Sequence, residues 1–139
     1  MKYNQYKEYN EDTDFWNNRH ITISSTKGYE WKMNSLTASN MLQYFSAAYK
    51  LSFWHICFDN MEQFTINTAD YNIGEIVLYG CTSFEDDRNK KVFDLVDRIA
   101  SHKHILSLLQ SIRFSSAAYM SYQKWESVHK KLDSLGISL

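Results

Sequence analysis

The central run of the chain, residues 51–58, limits the possible fold most strongly. Its sequence, Leu-Ser-Phe-Trp-His-Ile-Cys-Phe, carries apolar side chains at both alternating sets of positions. Because successive side chains of a strand point to opposite faces, this pattern places apolar groups on both faces of one strand. Aromatic and branched residues also favour the extended conformation. The run therefore predicts a central strand of a β-sheet.

Other parts of the chain show the period of two that is typical of half-buried strands. These runs are residues 19–25, 29–33, 63–68 and 75–79. Gly28 lies between the first two runs and accepts the positive φ of a tight turn, so they are predicted to form a β-hairpin. The last two runs, together with residues 51–58, are predicted to form an antiparallel meander.

Three segments instead repeat their apolar residues at intervals of three and four, which indicates amphipathic helices. They are residues 38–49, 92–112 and 118–132. The polar stretch 101–104 interrupts the second segment, so both one long helix and two shorter helices remain open. Gly136 is placed to end the last helix.

The order of these elements is ββαβββαα, which segregates strands from helices. It predicts an α+β fold with one antiparallel sheet of about five strands and with helices packed mainly on one face. With 139 residues, the chain has the length of one domain and can bury a core without disulfides or metal ions. We therefore expect a single domain over residues 1–139. Residues 1–18 of this domain are predicted to form a polar, tyrosine-rich arm.

The net charge of −1 hides an uneven distribution along the chain. Residues 51–87 contain seven acidic and no basic residues, whereas residues 88–139 carry a net +5. We call residues 51–87 the acidic segment. Most of its acids fall at predicted strand ends and turns, where side chains meet solvent and share one electrostatic field. An equally weighted alternative is that these acids face the basic C-terminal helices within the fold.

The acidic segment supplies the candidate partner-binding residues. They are Asp59, Glu62, Asp70, Glu75, Glu85, Asp86 and Asp87. A field of this sign attracts a basic protein, and an exposed Trp or Tyr beside it would provide an anchor. The sequence thus favours a non-catalytic inhibitor of the immunity or antitoxin type, whose acids imitate the charge of nucleic acid towards a basic toxin such as a nuclease.

No arrangement of residues in the sequence indicates catalysis or metal binding. His55, Cys57 and Asp59 are two residues apart on a predicted strand, which separates neighbours by about 6–7 Å and is too far for a Cys–His pair. His102 and His104 would point apart on a helix, and the four glycines form no phosphate-binding loop. No cofactor, metal ion or direct contact with nucleic acid is therefore expected.

Two other functions are alternative hypotheses. One is a small-molecule-binding or enzymatic domain with an aromatic pocket between sheet and helices. The candidate lining residues are Trp31, Trp54, Tyr79 and Trp125, with His55 and Asp59 as polar groups. The other is an oligomeric structural protein. The oligomeric state is not predicted.

The cysteines and the N-terminal residues bear on the compartment. Cys57 and Cys81 lie in apolar surroundings and are too few for a disulfide framework, so we expect them to be free thiols in the core. Residues 1–8 lack the apolar stretch of a secretory signal, and no run reaches the length of a membrane span. These features predict a cytoplasmic protein that does not bind a membrane.

Overall fold

A computed structural model describes residues 19–25, 31–83, 90–115 and 122–138. The strands are β1 (His20–Ser24), β2 (Trp31–Met33), β3 (Lys50–Trp54), β4 (Ile56–Phe58), β5 (Glu75–Tyr79), β6 (Thr82–Ser83) and β7 (Ser111–Ser115). The helices are α1 (Ser35–Tyr44), α2 (Lys90–Ser101) and α3 (Tyr122–Ser134), and a short 3₁₀ turn spans Met61–Gln63.

The strands form two parallel sheets. Sheet A has the order β1-β3-β5-β7, and sheet B has the order β2-β4-β6. The pairing in sheet A is in register, so His20 lies opposite Lys50, Lys50 opposite Glu75, and Glu75 opposite Ser111. The chain therefore winds as a coil, in which a strand of sheet A is followed by a strand of sheet B and then by a helix or loop.

The prediction of an antiparallel sheet of about five strands is wrong. Sheet A contains four strands and sheet B contains three, and neighbouring strands within each sheet are parallel. A period of two reports which side chains are buried but carries no information about strand direction. Direction follows from the connections, and each one between successive strands of sheet A is longer than the dozen residues that a parallel return requires.

The predicted hairpin and meander are wrong for the same reason. β1 and β2 belong to different sheets, and each of them pairs with a strand that comes later in the chain. The run 51–58 is divided at His55 between sheet A and sheet B, and residues 64–67 belong to no strand. Phe64 and Ile66 are nevertheless buried, which explains why this segment has the alternation of a strand.

The C-terminal third contains a strand that the sequence analysis interpreted as helix. α2 ends at Ser101, a series of turns follows, and β7 closes sheet A. The main chain at Ser138 then lies beside β7, where the Ile112 N–H donates to the Ser138 carbonyl at 3.0 Å. Ile112, taken as part of a helical stripe, is in fact a core residue of this strand.

α1 was predicted, and its first turn shows why it begins where it does. The Asn34 side chain accepts a hydrogen bond from the Thr37 backbone N–H at 2.9 Å, which satisfies one of the free donors at a helix start. The N-cap of α1 is therefore Asn34. The helical elements lie side by side, because α1 and α2 both contact the 3₁₀ turn and α2 contacts α3.

One contiguous hydrophobic cluster fills the interior of the coil. The inward residues of sheet A lie in line across the strands: Ile21 beside Leu51 and Ile76, and Ile23 beside Phe53 and Leu78. All six are no more than 8% exposed. Phe53 also meets Phe58 of sheet B edge to face, with ring centroids 5.8 Å apart. This stacking of apolar side chains between successive turns of the coil is how repeat-like folds are stabilised.

Within the part of the chain that the structure describes, no helix combines the length and the apolar character needed to cross a membrane.

The position of Phe53 gives a test of the fold. Phe53→Ala removes a ring that is 1% exposed and in contact with sheet B, so we expect a loss of about 3–5 kcal/mol in the free energy of unfolding. Thr22→Ala is the control on the exposed side of the same sheet and should change it by less than about 0.5 kcal/mol. Equal effects in urea denaturation would contradict the assignment of inner and outer faces.

Candidate functional site

The outer face of sheet A is the surface that points away from the core. Because the strands are parallel and in register, its residues form three rows that run across the sheet. The row at the carboxyl ends includes Ser24, Trp54 and Tyr79; the middle row is Thr22, Ser52, Val77 and Arg113, of which Ser52 is only 5% exposed; the row at the amino ends is His20, Lys50, Glu75 and Ser111.

Trp54 and Tyr79 are the large apolar residues of this face, and we call them the aromatic pair. They are 40% and 45% exposed, and their rings pack against each other with centroids 4.7 Å apart at an angle of 37°. Each is the last residue of a central strand of sheet A. Exposed aromatic residues of this kind are frequent anchors in protein interfaces.

A sharp corner follows each member of the aromatic pair and leads the chain from sheet A to sheet B. His55 and Gly80 occupy equivalent places in the two corners, and both have left-handed backbone conformations with φ of 57° and 63°. The His55 N–H donates to the Tyr79 carbonyl at 2.9 Å, and the Ser25 hydroxyl donates to the His55 carbonyl at 3.1 Å. The corner at His55 is thus tied to the preceding and the following turns of the coil.

The His55 ring lies at the edge of the aromatic pair. It meets Tyr79 edge to face at a centroid distance of 5.6 Å and Trp54 at 6.3 Å, with interplanar angles of 80° and 85°. Gly80 leaves room for it, since a Cβ at that position would lie 2.6 Å from His55 Nδ1. Three rings from two successive corners therefore form one exposed cluster.

The opposite end of the outer face is charged. The Arg113 Nε lies 3.1 Å from Glu75 Oε2, in an ion pair whose arginine side chain is 70% exposed. Desolvation by burial, followed by the field of Lys50, lowers the pKa of His20, which favours its neutral form. The Arg113 guanidinium, by contrast, is charged and partly balances the charge of Glu75 within the fold, before any partner arrives.

The predicted partner-binding acids fall at different places around the coil. Asp59 follows β4, and Glu62 lies in the 3₁₀ turn immediately after it. Asp70 is an exposed residue of the loop that leads to β5, and Glu75 is the first residue of β5. Residues 85–87, which hold the remaining three candidates, lie outside the described part of the chain. That these acids bind a partner stays a prediction.

The four residues suggested for an aromatic pocket do not share one environment. Trp31 is 7% exposed and belongs to the core, whereas the aromatic pair lies on the outer face of sheet A, away from the interior. The side chain of Trp125 lies outside the described residues. Of the two described tryptophans, one is therefore in the core and the other on the surface.

Both cysteines are buried free thiols. The Cys81 thiol donates to the Phe53 carbonyl at 3.3 Å, and burial raises the pKa of Cys81 from 9.0 to about 12. Such a thiol stays protonated at neutral pH and is a poor nucleophile. His55 is also not on the strand of Cys57, because it forms the corner before β4. The two residues therefore do not lie on one face of a strand, contrary to the prediction from the sequence.

His102 and His104 are closer than a helix would place them. α2 ends at Ser101, and in the turns that follow the two imidazole rings stack with centroids 6.2 Å apart at 19°. The His102 Nδ1 lies 2.6 Å from the Arg98 carbonyl, which caps the end of the helix. Among the described residues, no group of three or more His, Cys, Asp or Glu side chains is placed to hold a metal ion.

Sequence reasoning named Trp54 and Tyr79 but did not bring them together on an exposed surface. The missed signal is the pair of dipeptides Trp54-His55 and Tyr79-Gly80. In each dipeptide, an aromatic residue precedes one that tolerates a left-handed backbone. The two dipeptides lie on successive turns of the coil.

Comparisons with known proteins gave no matching family model, no matching curated protein and no matching solved structure.

The burial of the thiols predicts how they react. In the native protein at pH 8, we expect neither Cys57 nor Cys81 to be modified by the thiol reagent DTNB, because both are inaccessible and the raised pKa of Cys81 suppresses its thiolate. After unfolding in guanidinium chloride, two thiols per chain should react at once. Rapid labelling of either cysteine without unfolding would contradict this description of the core.

Proposed function

We propose that this protein is a non-catalytic binding protein that inhibits a basic protein partner, with the aromatic pair as its anchor. The observation that carries the proposal is that Trp54 and Tyr79 are exposed and packed against each other at the carboxyl ends of neighbouring strands. Burying such rings under a partner releases water from a large apolar area, and residues of this type contribute most to interface affinity.

The scaffold supports the anchor role. β3 and β5 are the central strands of sheet A and are paired on both sides, so the main chain beneath the aromatic pair is fixed. The two rings also restrain each other through direct contact. A pair that is ordered before binding loses little conformational freedom in the complex, which favours affinity.

Charge supports a basic partner. The aromatic pair belongs to the acidic segment, which has seven acidic and no basic residues. On the outer face itself Glu75 lies between the strands of Lys50 and Arg113 and is paired with Arg113, so the negative charge comes from Asp59, Glu62 and Asp70, which are spread around the turn of the coil that β3 begins. A surface of this sign accelerates the approach of a cationic protein and disfavours acidic ones.

The partner class that fits this chemistry is a toxin, such as a nuclease, and the protein would act as its immunity protein or antitoxin. An enzyme that acts on nucleic acid presents Lys and Arg side chains where phosphates bind, so acidic side chains can occupy that site in place of the substrate. An inhibitor of a nuclease works where the nucleic acid is, so the compartment proposed here is the cytoplasm.

Truncating the anchor tests the role of the aromatic pair. With the partner isolated from the native host and purified, Trp54→Ala and Tyr79→Ala should each weaken binding roughly 30-fold or more, as for interface hot spots. Tyr44→Ala is the matched control, since Tyr44 is 66% exposed and belongs to α1, not to sheet A. Calorimetry measures all three, and an unchanged affinity in both anchor variants would contradict the proposal.

Reversing acids tests the role of charge separately. A variant with Asp59, Glu62 and Asp70 changed to Lys should associate about 10–100-fold more slowly at low salt and lose its protection against the toxin, because electrostatic steering is reversed. The control changes Asp94, Glu126 and Asp133 to Lys, which alters the net charge equally but outside the acidic segment. Equal association rates for the two variants in stopped-flow measurements would show that the acidic segment does not guide the partner.

A further inference from the structure

The two corners between sheet A and sheet B have the same backbone shape and different residues. Trp54, His55 and Ile56 form one corner, and Tyr79, Gly80 and Cys81 form the next. The central residue is left-handed in both, with φ of 57° at His55 and 63° at Gly80. Glycine adopts this conformation without steric cost, whereas a residue with a Cβ adopts it at a cost in free energy. Gly80 shows that glycine serves this corner, so the backbone alone does not call for a histidine at position 55.

The side chain at position 55 has contacts that a glycine would lack. The imidazole meets Tyr79 and Trp54 edge to face, at 5.6 Å and 6.3 Å between ring centroids. This is the favoured geometry for aromatic contacts, in which the ring edge points to a neighbouring ring face. His55 thus limits the movement of both rings of the aromatic pair from one side.

The neighbouring corner makes space for this contact. A Cβ on Gly80 would lie 2.6 Å from Nδ1 and 2.7 Å from Cε1 of His55, closer than side-chain atoms approach. The small residue in one corner and the ring in the other are therefore complementary. Exchanging either residue removes the contact between the imidazole and the aromatic pair.

From these observations we infer that His55 is a positioning residue, whose ring holds Trp54 and Tyr79 in the arrangement that receives the partner. The inference rests on the proposed function, because the arrangement matters only if the aromatic pair is an anchor. It assigns different roles in binding to the three residues of the exposed cluster. Trp54 and Tyr79 contribute the apolar area, and His55 reduces the freedom that they would otherwise lose on binding.

The backbone geometry supplies a variant that separates positioning from stability. His55→Gly removes the ring contacts but also relieves the left-handed strain, and because these two effects oppose each other the melting temperature should change little. A residue that is only structural would instead destabilise the protein when truncated. Asn60→Gly is the matched control, because Asn60 is also left-handed, with φ of 60°, and its side chain does not cap the 3₁₀ turn.

The order of the aromatic pair can be measured without a partner. The indole N–H signal of Trp54 in a ¹⁵N–¹H spectrum, assigned by its loss in Trp54→Phe, reports the ring of Tyr79 beside it. Tyr79→Ala provides the signal position when that ring is absent. We expect His55→Gly to move the Trp54 signal towards the Tyr79→Ala position and to increase quenching of tryptophan fluorescence by acrylamide. Asn60→Gly should match the wild type in both measurements.

Binding to the purified partner completes the test. We expect His55→Gly to bind about tenfold more weakly, since two side chains must then be ordered in the complex, and Asn60→Gly to bind as the wild type does. A Trp54 signal unchanged by His55→Gly would overturn the positioning role. A shifted signal with unchanged affinity would overturn this inference as well, and if Trp54→Ala and Tyr79→Ala both bind normally too, the anchor role itself is excluded.

Discussion

The parallel, in-register pairing of β1, β3, β5 and β7 is the constraint on which the rest of the structure depends. It aligns the inward residues of successive turns, so that Ile23, Phe53 and Leu78 pack as one column in the core. The same register aligns the outward residues. Trp54 and Tyr79 are neighbours because their strands are in register, although 25 residues separate them in the chain. Core and candidate site therefore follow from one pattern of hydrogen bonds.

The corners between the two sheets lie directly after the aligned aromatic residues and help to form the exposed cluster. Each strand of the central pair ends in an aromatic residue and is followed by a left-handed residue, which turns the chain into sheet B. Because the two corners are joined by the hydrogen bond from the His55 N–H to the Tyr79 carbonyl, their main chains keep fixed relative positions. The exposed cluster of three rings is thus built on paired strands and hydrogen-bonded corners, which are more rigid than an isolated loop. Such preorganisation is what a tight interface requires.

The sequence was sufficient for the elements whose side chains report burial directly. Alternation at residues 20–24 and 75–79 predicted β1 and β5, and the spacing of Ala38, Met41 and Leu42 predicted α1. Strand direction was not predictable in the same way, because a period of two is identical in parallel and antiparallel sheets. Ile112 shows a further limit, since one strand of five residues after a helix continues an apolar stripe by chance. The two aromatic residues were named from the sequence, but their contact depends on a register that only the fold determines.

Photo-crosslinking in the native host tests the central claim most directly, namely that a basic protein docks on the aromatic pair. A benzophenone amino acid would replace Tyr79 in one strain and Tyr44, on α1, in another, because both positions are exposed. The account predicts that irradiation joins the variant at position 79 to one basic protein, whose toxicity the wild-type chain suppresses, and that the variant at position 44 does not capture it. Capture of that protein at position 44 and not at position 79, or of an acidic protein at position 79, would contradict the account.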